Sequence, residues 1–266
     1  MHRTFFITAV GSGLGRAFAQ EALAAGHRVI GTVRRPDQVA EFEALAPGRA
    51  TGRVLDVTDE DAVVAVVDEA ERNVGPIEVL ISNAGYGLEG TVEESSMGDL
   101  RRQFDVNVFG SVAVIKAVLP HMRRRRGGHI FSVSSMAGLT ALPGVAFYGA
   151  SKFAMEGVTA SLAQEVAGFG IRVTSLALGS FRTDWAGRSM VRAPSPTTTP
   201  SSNRSAPPAG PRAASRPATR PAPPGPCSGS WSPTTRPCTS FSVPTPCAWS
   251  SRGSGAWPAT SPRGPR

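Results

Sequence analysis

The sequence predicts an α/β protein built on a doubly wound parallel sheet, followed by a tail that does not belong to the sheet. Three observations point there. Short apolar runs alternate with helix-length stretches from the N-terminus to about residue 184. A glycine-rich turn stands at the first strand–helix junction, and all regular periodicity stops near Pro194. Strands alternating with helices of this length argue for right-handed crossovers, and strands this apolar suit a sheet covered on both faces.

The predicted strands are Thr4–Val10, Arg28–Val33, Arg53–Val57, Ile77–Ser82, His129–Val133 and Ile171–Ala177. The intervening stretches Gly15–Ala25, Pro36–Ala46, Glu60–Asn73, Met97–Arg125 and Tyr148–Gly168 read as helices. The run Arg123–Arg126 closes one of them, where cations complement the helix dipole. Residues 1–193 therefore read as one domain and residues 194–266 as a low-complexity tail.

The 266 residues carry 28 Lys and Arg against 20 Asp and Glu. All 20 acids lie at or before Asp184, where they meet 18 basic residues, for −2; the last 82 residues hold 10 Arg and no acid, for +10. The basicity thus belongs to the tail, which argues against a nucleic-acid surface in the folded part. The three cysteines, Cys227, Cys238 and Cys247, also lie in the tail, so neither a disulfide framework nor a metal centre is expected in the body. No apolar run is expected to span a membrane, and Thr4–Val10 is too short for a signal segment. A soluble, cytoplasmic protein is the expectation.

Thr8-Ala9-Val10-Gly11-Ser12-Gly13-Leu14-Gly15 joins the first strand to the first helix. Glycines there permit a tight turn and close approach of a pyrophosphate to the helix N-terminus, so the turn predicts a nucleotide. The second strand ends in Arg34-Arg35, with no acid to hold a ribose hydroxyl. Two arginines favour a 2′-phosphate, hence NADP(H) over NAD(H). Tyr148 and Lys152 stand four residues apart, and Ser135 lies thirteen residues before the tyrosine. On a helix Tyr148 and Lys152 share a face, where a cation lowers the phenol's pKa and prepares it for proton transfer.

With these residues assembled, residues 3–193 resemble the classical short-chain dehydrogenase/reductase family, which implies a Rossmann-type sheet. The glycine turn resembles the family's Thr-Gly-x-x-x-Gly-x-Gly. Asp56-Val57 is similar to its adenine-contacting pair, and Ser82-Asn83-Ala84-Gly85 to its Asn-Asn-Ala-Gly. Gly179, Ser180 and Thr183 fall in a stretch resembling the one that contacts the nicotinamide end. The resemblance implies that Tyr148 is the general acid/base, that Lys152 lowers its pKa and holds the nicotinamide ribose, and that Ser135 binds the substrate oxygen. Asn107 is implied to hold a proton-relaying water. Ser134 equals Ser135 in type, and the spacing to Tyr148 selects Ser135.

Hydride transfer between the nicotinamide and a small carbonyl or alcohol is the implied reaction. The alternatives are a non-catalytic NADP(H) sensor and a mis-framed inactive product. Three departures matter: Ala9 replaces a glycine and is expected to crowd the turn or the phosphate, Leu178 replaces a proline and is expected to loosen a loop, and Ser82 replaces an asparagine.

The tail holds 18 of the 23 prolines and no Ile, Lys, Tyr or acid. Such a composition predicts disorder. Two explanations are open, a genuinely disordered tail and a frame shift. With GC-rich codons, Ser195–Ser205 read one base earlier can spell an acid-bearing amphipathic helix, and Ala218–Trp249 a turn, helix, turn and buried strand. On that reading a seventh strand is lost, Arg172–Ala177 is left as a bare sheet edge, and the family's usual oligomer is doubtful. Sequencing the native gene across codon 194 is expected to show a one-base break; one intact frame there would refute it.

Overall fold

The computed structural model describes residues 2–179 and 190–193. The expectations for the tail, Ser180 and Thr183 lie outside those residues.

Six strands form one parallel sheet: β1 (Thr4–Ile7), β2 (Arg28–Val33), β3 (Ala50–Val54), β4 (Val79–Ser82), β6 (Gly128–Ser135) and β7 (Ile171–Leu178), in the order β3-β2-β1-β4-β6-β7. The helices are α1 (Gly13–Ala24), α2 (Asp37–Glu43), α3 (Glu60–Asn73), α4 (Met97–Phe104), α5 (Ser111–Arg125) and α6 (Ala146–Val166). Two-residue alternation along the strands sorts the core into two layers. One row runs Ile30–Phe6–Leu80–Ile130–Val173 across five strands. It packs with Val63 and Val67 of α3, Val114 and Val118 of α5, and Met155 and Leu162 of α6. On the other face Val29, Val33, Val79 and Ile81 pack with Ala19 and Leu23 of α1 and Phe42 of α2. Phe42 needs the bare backbone of Gly31, where a Cβ would stand 2.5 Å from its ring.

Several boundaries differ from the sequence expectation. β1 ends at Ile7 rather than Val10, because Thr8–Val10 already turn toward α1. β3 lies three residues earlier than expected, its Ala50–Val54 pairing with Val29–Val33, which leaves Asp56-Val57 in the loop beyond it. The long helix predicted over 97–125 is broken by a π turn at Asp105–Gly110. That helical run is also long and apolar enough to cross a membrane by length and composition, contrary to expectation. Its apolar side is used inside the protein: Val108, Val114, Ile115, Val118 and Met122 are buried. Leu178 ends β7, in register with Ser135, since a residue other than proline keeps the N–H a ladder needs; the loop it was expected to loosen lies beyond the described residues.

A two-stranded parallel ribbon, β5 (Gly87–Glu89) with β8 (Met190–Arg192), has no counterpart in the sequence reading. Among the described residues β7 stands at one edge of the sheet; the segment expected to lack a seventh strand lies outside them.

Ala9 sits at φ 59°, in the left-handed region. The turn accepts it, with Ala9 N–H donating to Thr32 Oγ1 at 3.2 Å, but an L side chain pays roughly 1–2 kcal/mol for that conformation. Ala9→Gly is therefore expected to stabilise the protein by about 1 kcal/mol, read as a higher urea midpoint at unchanged m-value.

Candidate active site

All six strands point the same way, so their C-terminal ends share one rim of the sheet. β1 and β4 lie side by side, yet their following helices pack on opposite faces, which opens a crevice between them. Thr8 bridges it. Its hydroxyl accepts from Asn83 N–H at 2.9 Å and Ala84 N–H at 2.8 Å, while Asn83 Nδ2 donates to Thr8 O at 3.0 Å. Above the bridge lies a cleft of about 1380 Å³.

The glycine turn forms one wall of this cleft. Gly13 adopts φ +58°, and a Cβ there would meet nothing within 4 Å. Gly15 is needed for contact instead, since a Cβ would stand 2.3 Å from Ala9 O and 2.6 Å from Asn83 Nδ2. The start of α1 carries no side-chain cap and no acid in its first turn. Uncapped N–H groups at a helix start suit an anion, so the turn fits the pyrophosphate of a dinucleotide. Gly11, Ser12 and Leu14 line the cleft with Gly13. Gln38, which the sequence reading missed, reaches back from α2, its Nε2 2.8 Å from where a Gly11 Cβ would lie.

Arg34 lines the cleft, as expected for a phosphate-binding cation. Arg35 does not join it. Its guanidinium donates to both carboxylate oxygens of Asp37, at 3.1 and 2.8 Å. The expected arginine pair is thus one arginine facing the cleft and one neutralised outside it. Asp56 and Val57 line the same end. The Asp56 carboxyl is held below its usual range by hydrogen bonds from Thr58 and by Arg34 nearby. Asn83, Ala84, Gly85 and Gly179 complete the expected lining among the described residues.

Helix α6 brings Tyr148 and Lys152 to the cleft floor as adjacent turns of one face, both buried. Tyr148 is hydrogen-bonded to Ser135 at the end of β6, and this bond favours the phenolate. Burial acts more strongly, so the phenol lies above its ordinary value. Lys152 Nζ is 5.8 Å from the Tyr148 ring centroid and donates to Val133 O at 2.8 Å. The phenol thus lies above its ordinary value where a lowering by the lysine was expected: burial raises it, and the opposing pull comes from Ser135. Lys152 itself is pulled down to about 8 by burial, against an upward pull from Glu156 one turn on. Ser134 also lines the cleft, but its hydroxyl is buried beside Gly138 with no hydrogen-bond partner among the described residues.

Asn107 lies in the π turn, fully buried. Its Nδ2 donates to Tyr86 O at 3.0 Å and Ser151 Oγ at 3.2 Å, and its Oδ1 accepts from Tyr86 N–H at 3.0 Å. Ser151 Oγ in turn donates to Tyr148 O at 2.7 Å. The Asn107 amide is therefore a clamp between the loop after β4 and helix α6, a role the sequence did not suggest. Tyr86 itself lines the cleft, so both tyrosines of the chain meet there.

This arrangement of glycine turn, strand-end serine and helical tyrosine–lysine pair is that of a nicotinamide-dependent oxidoreductase fold. Residues 3–191 match the short chain dehydrogenase family, and the chain belongs to that family. It is 43% identical over 191 residues to Oxidoreductase BOA17 of Botryotinia fuckeliana, covering 71% of this chain and 70% of that protein. Other curated relatives are spanned to just under two thirds of their length, 63% and 64%. A short-chain dehydrogenase from Streptomyces avermitilis superposes with a TM-score of 0.70 at 36% identity, covering 73% of this chain and 72% of that one. ElxO with NADP bound gives 0.67 at 30% identity, covering 69% and 76%. NAD+-bound xylitol dehydrogenase gives 0.64 at 32% identity, covering 66% and 70%.

The chain has two lysines, Lys116 and Lys152, which makes the buried one easy to follow. By NMR of the lysine Cε, Lys152 is expected to titrate at about 8. Glu156 raises that value, so Glu156→Gln is expected to lower it; an unchanged midpoint would show that the carboxylate does not reach Lys152.

Proposed function

We propose that this protein is an NADP(H)-dependent oxidoreductase acting on a carbonyl/alcohol pair, with Tyr148 as its general acid/base. The observation that carries the reading is the Tyr148–Ser135 hydrogen bond at the rim of a cleft whose other end is an uncapped helix start. The nicotinamide, when bound, supplies or accepts the hydride.

In the reductive direction the substrate oxygen lies between the Ser135 and Tyr148 hydroxyls. Ser135 donates a hydrogen bond that polarises the carbonyl, and Tyr148 Oη delivers a proton to the oxygen as charge develops there. A phenol held above its ordinary pKa stays protonated at neutral pH, which suits a proton donor. Lys152 is an ammonium below about pH 8 and is the proposed partner of the nicotinamide ribose. Asn107 and Ser151 keep the start of α6 in position, so the tyrosine reaches the same point in every cycle. Arg34 is the proposed partner of the 2′-phosphate, since it is the second-strand arginine that faces the cleft without being tied to Asp37.

Tyr148→Phe is expected to lower kcat for NADPH-dependent carbonyl reduction by about 100-fold or more, with NADPH affinity retained. NADPH binding without turnover, unaltered by this substitution, would instead mark a cofactor sensor.

A further inference from the structure

The second half of the cleft differs in kind from the cofactor half. One side of it is the β5–β8 ribbon, in which Leu88 and Val191 stand in register and both line the cleft. The other side is the loop before α6, contributing Met136, Leu142, Pro143 and Val145. The two sides are one structure. Gly90 N–H donates to Gly144 O at 2.8 Å, and Gly90 bridges Val145 in parallel register. Ser135 and Tyr148 flank this wall, since Met136 directly follows Ser135 and Val145 lies three residues before Tyr148.

Among the described residues the wall carries no charge. Lys152 aside, the charged residues lining the cleft are Arg34, Asp56, Glu60, Asp99, Arg102 and Asp105. They come from the ends of β2 and β3, the start of α3, and the α4–π run, not from the ribbon or the loop before α6. The ribbon does contain an acid and a base, Glu89 and Arg192, but neither lines the cleft. Strand alternation turns them away from the side that Leu88 and Val191 present, and they neutralise each other at 2.8 Å. Meanwhile Met136, Leu142 and Val191 remain 42%, 38% and 47% exposed. Hydrocarbon gathered in a cleft beside polar catalytic groups is the usual make-up of a small-molecule site.

We propose that the substrate is a ketone, or its alcohol, whose carbonyl is borne on an uncharged hydrocarbon body that packs against Leu88, Met136, Leu142, Val145 and Val191. This rests on the oxidoreductase reading for the placement of the carbonyl at Tyr148 and Ser135. A carboxylate or phosphate on that body would lose its hydration against a wall that has no cation among its described residues, and Arg102, the cation on the neighbouring helix α4, is already paired with Asp99.

The test uses the full chain with NADPH and two series of methyl ketones of equal length, alkan-2-ones and the same ketones ending in a carboxylate. Affinity by calorimetry and kcat/KM are measured for each. In the alkan-2-one series both are expected to improve about fourfold per added methylene until the chain outruns the wall. The carboxylates of matching length are expected to be at least tenfold poorer. Leu142→Asp is expected to flatten the alkan-2-one series while leaving NADPH affinity unchanged. A flat wild-type series, a preference for the carboxylates, or no ketone binding at all would overturn the proposal. Affinity increments without turnover would uphold the wall and overturn the oxidoreductase reading; turnover with a flat series would do the reverse.

Discussion

The hydroxyl of Thr8 holds the place where this fold does its work. A parallel sheet wound in both directions must separate two neighbouring strands whose helices leave on opposite faces, and here those strands are β1 and β4. Their ladder runs up to Thr8 N–H on Ile81 O, beyond which the two chains part and leave a gap. Thr8 closes it with bonds from Asn83 and Ala84, and the glycine turn and Gly85 are positioned as a result. The cleft exists because the topology opens the sheet there, and it keeps its shape because this bridge limits the opening.

A second clamp sets the chemistry. The π turn brings Asn107 under the backbone of Tyr86, and the same amide reaches Ser151 on α6. Tyr148 and Lys152 are thereby referred to the β4 loop as well as to β6. Burying both groups has opposite electrostatic effects: the neutral phenol is favoured, and the charged amine is disfavoured. The lysine remains mostly protonated near neutral pH because Glu156 opposes part of its desolvation. Glu156 is itself held by Ser175 Oγ at 2.7 Å, so the balance is built from α6 and β7 together.

The two ends of the cleft differ in electrostatic character. One end gathers ionised groups and free helix N–H donors, as a phosphate-rich cofactor requires. The other is hydrocarbon among the described residues, and the ion pair within its ribbon, Glu89–Arg192, is turned away and satisfied within itself. Water leaves an apolar wall more readily than a charged one, so on the proposed reading the same wall would also dry a carbonyl placed at Tyr148.

The sheet, its helices and the Tyr148–Lys152–Ser135 set were legible in the chain, because periodicity and spacing are local properties and local geometry converts them directly into faces and ends. The separation of Arg34 from Arg35 was not legible: neighbours in sequence, they are parted by whether a carboxylate two residues on captures one of them. Nor was the part played by Asn107, whose partners Tyr86 and Ser151 lie 21 and 44 residues away. The β5–β8 ribbon pairs strands of three residues each, too short to show an alternation of their own. Ser134 and Ser135 were separated in the sequence by spacing alone, and in the structure by which face of β6 each occupies. The order of the elements and the grouping of Tyr148, Lys152 and Ser135 were thus set by the sequence, while tertiary structure decided which charges face the cleft and how desolvation tunes them. Burial and long-range pairing are properties of the assembled chain.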